Sequence, residues 1–235
     1  AGFSTFSLLY AVQPLLPLFA RDYALSAEGA SLAVSLATGP LAIAILFAGV
    51  LSDRIGRRPL MIAAMFSAGL LTLAAAVAPG WHALLALRLL TGLALAGVPA
   101  VAMAYVAEEV DAATVGAAMG LYIAGSALGG MGGRLIASLI ADVADWRWAL
   151  GGVGFAGVVM AEAFRRLAPP SRRFVASTAR NPLAGIAILL RDRALPLLYA
   201  EAFLLMGLFV TLYNYAGFRL IAPPYGLSQA AVGMV

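Results

Sequence analysis

Hydrophobic and polar positions fall in long blocks along this chain, not in short periods. Seven mostly apolar runs, at about 1–20, 29–51, 60–79, 82–106, 114–141, 148–167 and 195–220, are separated by polar connections. Each is near the roughly 20 residues an α-helix needs to cross about 30 Å of hydrocarbon. None has the period-2 alternation of a barrel strand. The pattern predicts an all-α polytopic membrane protein. Most connections are short, at 21–28, 52–59, 79–81, 108–113 and 142–147. The stretch 168–194 is long and basic, and 181–190 within it is expected to form a helix lying on the membrane face. It divides the chain into an amino-terminal six-helix bundle, 1–167, and the start of a second, truncated bundle, 195–235, with an eighth helix opening near Ser228. Both ends of the chain lie in apolar runs, as in a fragment. Gly39, Pro40 and Pro99 mark expected kinks.

Composition fixes the solvent. Hydrophobic residues make up 63% and charged residues 11%, too little polar surface for a globule in water. The lipid bilayer is therefore the first partner. All 15 basic residues are arginine, and cysteine is absent, which excludes disulfides and thiol chemistry. A single histidine, His82, excludes histidine clusters and the H-E-x-x-H metal pattern. Without lysine there is no phosphate-binding G-x-x-x-x-G-K-[ST] loop, so ATP is not an obvious driver. No cofactor and no metal are expected. The net charge of +4 does not point to nucleic acid, because the arginines sit in the loops. Ten of them (54, 57, 58, 165, 166, 172, 173, 180, 191 and 193) fall on one side, and only Arg21, Arg147 and Arg219 on the other. By the positive-inside rule the first side, the long connection and the amino terminus are cytoplasmic.

The densest local signal is Gly49, Leu51, Asp53, Arg54, Gly56, Arg57 and Arg58, between the second and third runs. Gly49 lets its helix approach a neighbour, and Gly56 permits a tight reversal. Asp53 can cap the next helix or pair with an arginine. This stretch resembles the signature loop of the major facilitator superfamily, G-x-L-x-D-R-x-G-R-R/K. Two further stretches carry the likeness. Arg88 ahead of Gly92 in the fourth run resembles that family's intramembrane arginine motif. Gly125, Ser126, Gly129 and Gly130 in the fifth resemble its antiporter motif, with serine in place of proline, which removes the expected kink. Residues 121–150 and 195–232 look more like one branch, the efflux-type permeases of bacterial inner membranes.

The resemblance implies a fold of two six-helix bundles rocking about a mid-membrane site. It implies a secondary active transporter that exports a small-molecule substrate, coupled to protons as an antiporter, from the bacterial inner membrane. The missing carboxy-terminal bundle of the same chain would supply the second wall of the site. The 49–58 loop would be a cytoplasmic gate.

Charge inside a span is costly, so Arg88, Arg134 and Glu201 are candidates for coupling or substrate contact. Arg88 can instead snorkel to the surface. Arg88 and Arg134 lie at similar depth and are expected to face the inter-bundle cavity, or else to meet interhelical carbonyls. Glu201 can carry a proton or pair with a loop arginine. Tyr10, Gln13, Tyr122, Tyr213 and Asn214 are candidate cavity-lining groups. Two rival classes stay in view, an intramembrane enzyme and a seven-helix sensor. The first lacks a base near Ser126, and the second does not account for the 49–58 loop.

Overall fold

A computed structural model describes residues 1–172, 174, 191–192 and 194–234. The helix expected over 181–190 lies outside the described residues. Among the described residues every regular element is helical. The order is α1 (Gly2–Tyr10), a 3-10 turn (Gln13–Leu15), α2 (Leu16–Asp22), α3 (Ala27–Ile55), α4 (Arg57–Ala76), α5 (Trp81–Leu95), α6 (Pro99–Glu109), α7 (Val115–Val143), α8 (Trp146–Leu167), α9 (Leu195–Ile221) and α10 (Gln229–Gly233). Six stretches are long and apolar enough to cross a membrane: Gly2–Asp22, Ala27–Ile55, Arg57–Ala76, Trp81–Glu109, Val115–Val143 and Leu195–Ile221. The sixth run forms α8 but does not meet the same measure. Its 22 residues still reach about 33 Å. Glycines and the end charges Glu162, Arg165 and Arg166 dilute its apolar character.

Local chemistry sets the boundaries. Ser26 caps α3 by accepting from the Gly29 amide at 3.1 Å, and Ser228 caps α10 by accepting from Ala231 at 3.2 Å, each satisfying an otherwise orphaned amide. Gly56 joins α3 to α4 at φ +99°, a conformation that a β-carbon would strain.

Proline acts differently along the chain. α3 continues as one helix through Pro40. The second half of the fourth run does restart at Pro99, after α5 ends at Leu95. The first run breaks as well. α1 ends at Tyr10 and α2 begins at Leu16, because Pro14 and Pro17 each lack the amide that a continuous helix needs.

The bundle has two cores. One gathers Leu8, Leu15, Phe19, Ala33, Leu84, Trp146 and Leu150. Phe19, Tyr23, Trp81 and Trp146 stack at its far end, with centroid distances of 5.1–6.1 Å. The other gathers Met61, Met65, Val101 and Tyr105 near the 49–58 loop. These define an aromatic end and an arginine-rich end. The closest helix pairs are α4 with α8, α1 with α7, and α3 with α5. α9 touches the bundle through the 3-10 turn, α2, α3 and α10. Its early part, residues 197–209, is exposed.

Candidate functional site

Four constellations hold most of the sequence candidates. At the arginine-rich end, Arg57 is clamped by two carboxylates. Its Nη1 lies 2.6 Å from Asp53 Oδ1, and its Nη2 and Nε donate to Glu108 Oε1 at 3.0 and 3.1 Å. It also donates to Ser52 Oγ and sits 5.9 Å from the Phe174 ring centroid. Arg58 donates through Nε to the Ala168 carbonyl at 3.1 Å and through Nη2 to that of Arg165. The loop thus ties α3, α4, α6 and the end of α8 together. Asp53 pairs with arginine and does not cap α4. Arg54 and Leu51 are exposed. Gly49 does not meet a neighbour: a β-carbon there would find nothing within 4 Å, because this face of α3 carries no covering helix among the described residues. Glu108, the second carboxylate, was not a sequence candidate; its signal is its place in the connection on the same side as the gate loop.

Arg88 is 1% exposed and neither snorkels nor faces a cavity. Its Nε donates to the Ala33 carbonyl at 3.0 Å, Nη1 to Leu8 at 3.1 Å and Nη2 to Leu9 at 2.8 Å. Those Leu8 and Leu9 carbonyls lie at the end of α1, where the break before Pro14 removes their helical donors. The guanidinium replaces the missing amides, so a costly cation is satisfied by orphaned acceptors. Of the two expectations for Arg88, the contacts are those of the interhelical-carbonyl alternative; the sequence did not show which carbonyls, because Pro14 and Pro17 were not taken as a helix break.

The antiporter-like glycines form a seam between α7 and α1. A β-carbon on Gly129 would lie 2.2 Å from the Phe3 carbonyl oxygen, and one on Gly133 2.5 Å from Ser7 Cα. Ser7 Oγ donates to the Gly129 carbonyl at 2.8 Å. Gly125 comes near the Phe3 amide, and Gly130 near the Tyr10 ring. Ser126 donates back to the Tyr122 carbonyl at 2.9 Å, and α7 runs unbroken through it. Tyr122 packs against the arginine-rich core, away from Arg134.

Gln13, Arg134, Tyr213 and Asn214 converge. Gln13, Pro14, Met131, Arg134, Tyr213, Gly217, Leu220 and Val232 line a cavity of about 120 Å³ between the first helix, α7, α9 and α10. Gln13 Nε2 donates to Asn214 Oδ1 at 3.1 Å. The Arg134 guanidinium carbon lies 3.9 Å from the Tyr213 ring centroid and 5.6 Å from that of Phe209. Its Nε donates within α7 to Gly130 at 3.1 Å. The two intramembrane arginines thus part company, Arg88 to the core and Arg134 to the cavity. Beside the cavity α10 is tied to its neighbours: Gln229 Nε2 donates to the Pro14 carbonyl, and the Ala230 amide donates to Asp142 Oδ1 at 3.2 Å. Glu201 is exposed on α9 and is not brought to this cavity. No group of three or more His, Cys, Asp or Glu side chains able to hold a metal occurs among the described residues.

A broken first helix, a glycine seam to the fifth, a charged clamp beside the second loop and a polar cavity between bundle and α9 together define a polytopic membrane-transport fold. The chain belongs to the Major Facilitator Superfamily, whose sequence profile matches residues 1–235. It is 46% identical over 237 residues to the inner membrane transport protein YnfM of Escherichia coli (strain K12), with 100% of this chain and 57% of that protein covered. It is 41% identical over 232 residues to the uncharacterized MFS-type transporter YybF of Bacillus subtilis (strain 168), covering 98% of this chain and 57% of that one. The chain therefore spans little more than half the length of these relatives. A crystal structure of a D-xylose-proton symporter superposes with a TM-score of 0.58 at 16% identity, over 99% of this chain and 61% of that chain. At that identity the likeness is one of fold.

Proposed function

We propose that the protein is a secondary active carrier that exports a small molecule across the bacterial inner membrane by alternating access, in antiport with protons. Residues 1–167 are one bundle, 168–194 the cytoplasmic central loop, and 195–235 the start of the second bundle. The amino terminus is cytoplasmic. The observation that carries this reading is the cavity lined jointly by the first bundle, through Gln13 and Arg134, and by α9, through Tyr213, Gly217 and Leu220, because a carrier of this kind holds its substrate between its two bundles.

The Arg57 clamp suits a gate. Its partners Asp53 and Glu108 lie within the first bundle, and Gly49 and Leu51 lie on a face of α3 free for the second bundle to dock on. Protons are assigned to Glu201, a carboxylate within a membrane-spanning helix. No chemistry of bond cleavage is served by these residues, since Ser126 hydrogen-bonds its own helix and has no base.

The test is flux. The whole gene product, reconstituted in liposomes with a pH-sensitive dye inside, is given a panel of small molecules under an imposed proton gradient. Substrate-dependent proton release, abolished in Glu201→Gln, is expected. Proton movement unchanged in Glu201→Gln would remove that residue from the coupling step.

A further inference from the structure

Polar groups in the Arg134 cavity are left with hydrogen-bonding capacity that the described residues do not use. Arg134 Nη1 is shielded from solvent and has no hydrogen-bond partner among the described residues, and the same holds for Gln13 Oε1. Leaving a charged donor buried and unpaired is costly, and far from water it invites an acceptor of opposite charge. The rest of the guanidinium is already placed. Nε is held by the Gly130 carbonyl at 3.1 Å, and Tyr213 lies against the cation at 3.9 Å, which fixes its plane. Gln13 is oriented by Asn214 at 3.1 Å. Around these groups the walls are apolar: Pro14, Met131, Leu220 and Val232. None of the cavity-lining residues is a carboxylate.

We propose that this cavity binds a small amphipathic carboxylate. The carboxylate accepts from Arg134 Nη1, a neighbouring hydroxyl on the ligand donates to Gln13 Oε1, and the apolar body rests on Met131 and Leu220. A cationic or purely apolar ligand would leave the guanidinium unpaired, and the about 120 Å³ of space sets an upper size near a single ring or a short branched chain. The proposal rests on reading the protein as a carrier, but the site can be tested without transport.

The whole gene product, purified in detergent, is titrated with salicylate and with methyl salicylate. The two share ring and hydroxyl and differ in the carboxylate charge. Salicylate is expected to bind and raise the melting temperature, and the ester to do neither. Arg134→Gln should weaken salicylate binding at least about tenfold, with Arg134→Lys retaining part of it. Met131→Trp, on the cavity wall, should fill the cavity and abolish binding even if Arg134→Gln fails to fold. Equal binding of acid and ester, no binding of salicylate, or full affinity in Met131→Trp would each overturn the proposal. Binding without flux would keep this site and remove the carrier reading. Flux of other compounds without carboxylate binding would do the reverse.

Discussion

Arg88 and Gly92 stand one turn apart on α5 and meet the same stretch of α3 backbone. Arg88 Nε holds the Ala33 carbonyl at 3.0 Å, and a β-carbon on Gly92 would lie 2.0 Å from the Ala37 carbonyl oxygen. The spacing of four residues puts both on one helix face. The glycine sets the closeness of the two helices, and closeness lets the guanidinium reach across to α1.

From this follows a stability prediction. Gly92→Ala must push α3 and α5 apart and should cost about 1–3 kcal/mol, as overpacking does. Arg88→Gln loses three bonds to buried carbonyls and should cost more than Gly92→Ala. Arg88→Lys, lacking the planar fork, should recover only part. Thermal unfolding in detergent checks the order. An Arg88→Gln variant with wild-type melting and impaired transport would instead make this arginine part of the mechanism.

Asp53→Asn keeps the shape of the side chain and removes the charge 2.6 Å from Arg57. Glu108 still holds Arg57, so folding should change little. Transport should fall strongly, and Glu108→Gln should fall with it. Expression measured beside flux separates the two effects. Normal flux in both single variants and in the double variant would leave the clamp a structural tie.

The cysteine-free sequence makes the topology directly measurable. Arg172→Cys should be protected from an impermeant thiol reagent on intact cells, and Ala144→Cys should react. The opposite pattern inverts the orientation inferred from the arginines.

The glycine seam predicts a graded response. Gly129→Ala places its β-carbon against the Phe3 backbone at 2.2 Å, whereas Gly125→Ala meets nothing closer than 3.9 Å. The first should lower the melting temperature clearly and the second hardly at all. Similar losses at both positions would show that α1 and α7 are not packed in this way.

Much of this architecture was legible because membrane helices announce themselves by length and apolarity. The runs gave α3, α4, α7 and α9 nearly to their ends, and Ser228 marked the start of α10. Three things were not legible. Pro14 and Pro40 look alike in sequence, yet only the first interrupts a helix, because neighbouring helices decide whether freed carbonyls find donors. Arg88 and Arg134 lie at comparable depth, and depth says nothing about which side of a helix faces protein. Glu108 is one of several carboxylates near the ends of the runs, and only the fold shows that it, at the end of α6, reaches Arg57. The convergence of Gln13, Tyr213 and Asn214 could be guessed as polarity inside spans, but their meeting with Arg134 depends on how α9 leans on the bundle.

Alternating access is tested most directly by distances at the two ends of the same molecule. Spin labels on Ile55→Cys with Leu198→Cys report the arginine-rich end, and labels on Val143→Cys with Tyr225→Cys report the aromatic end; all four positions are exposed. In liposomes, with a proton gradient imposed first one way and then the other, each pair should show two distance populations. The first pair should shorten whenever the second lengthens. One fixed distance at each end under every gradient, or both pairs moving in the same sense, would contradict a rocking carrier.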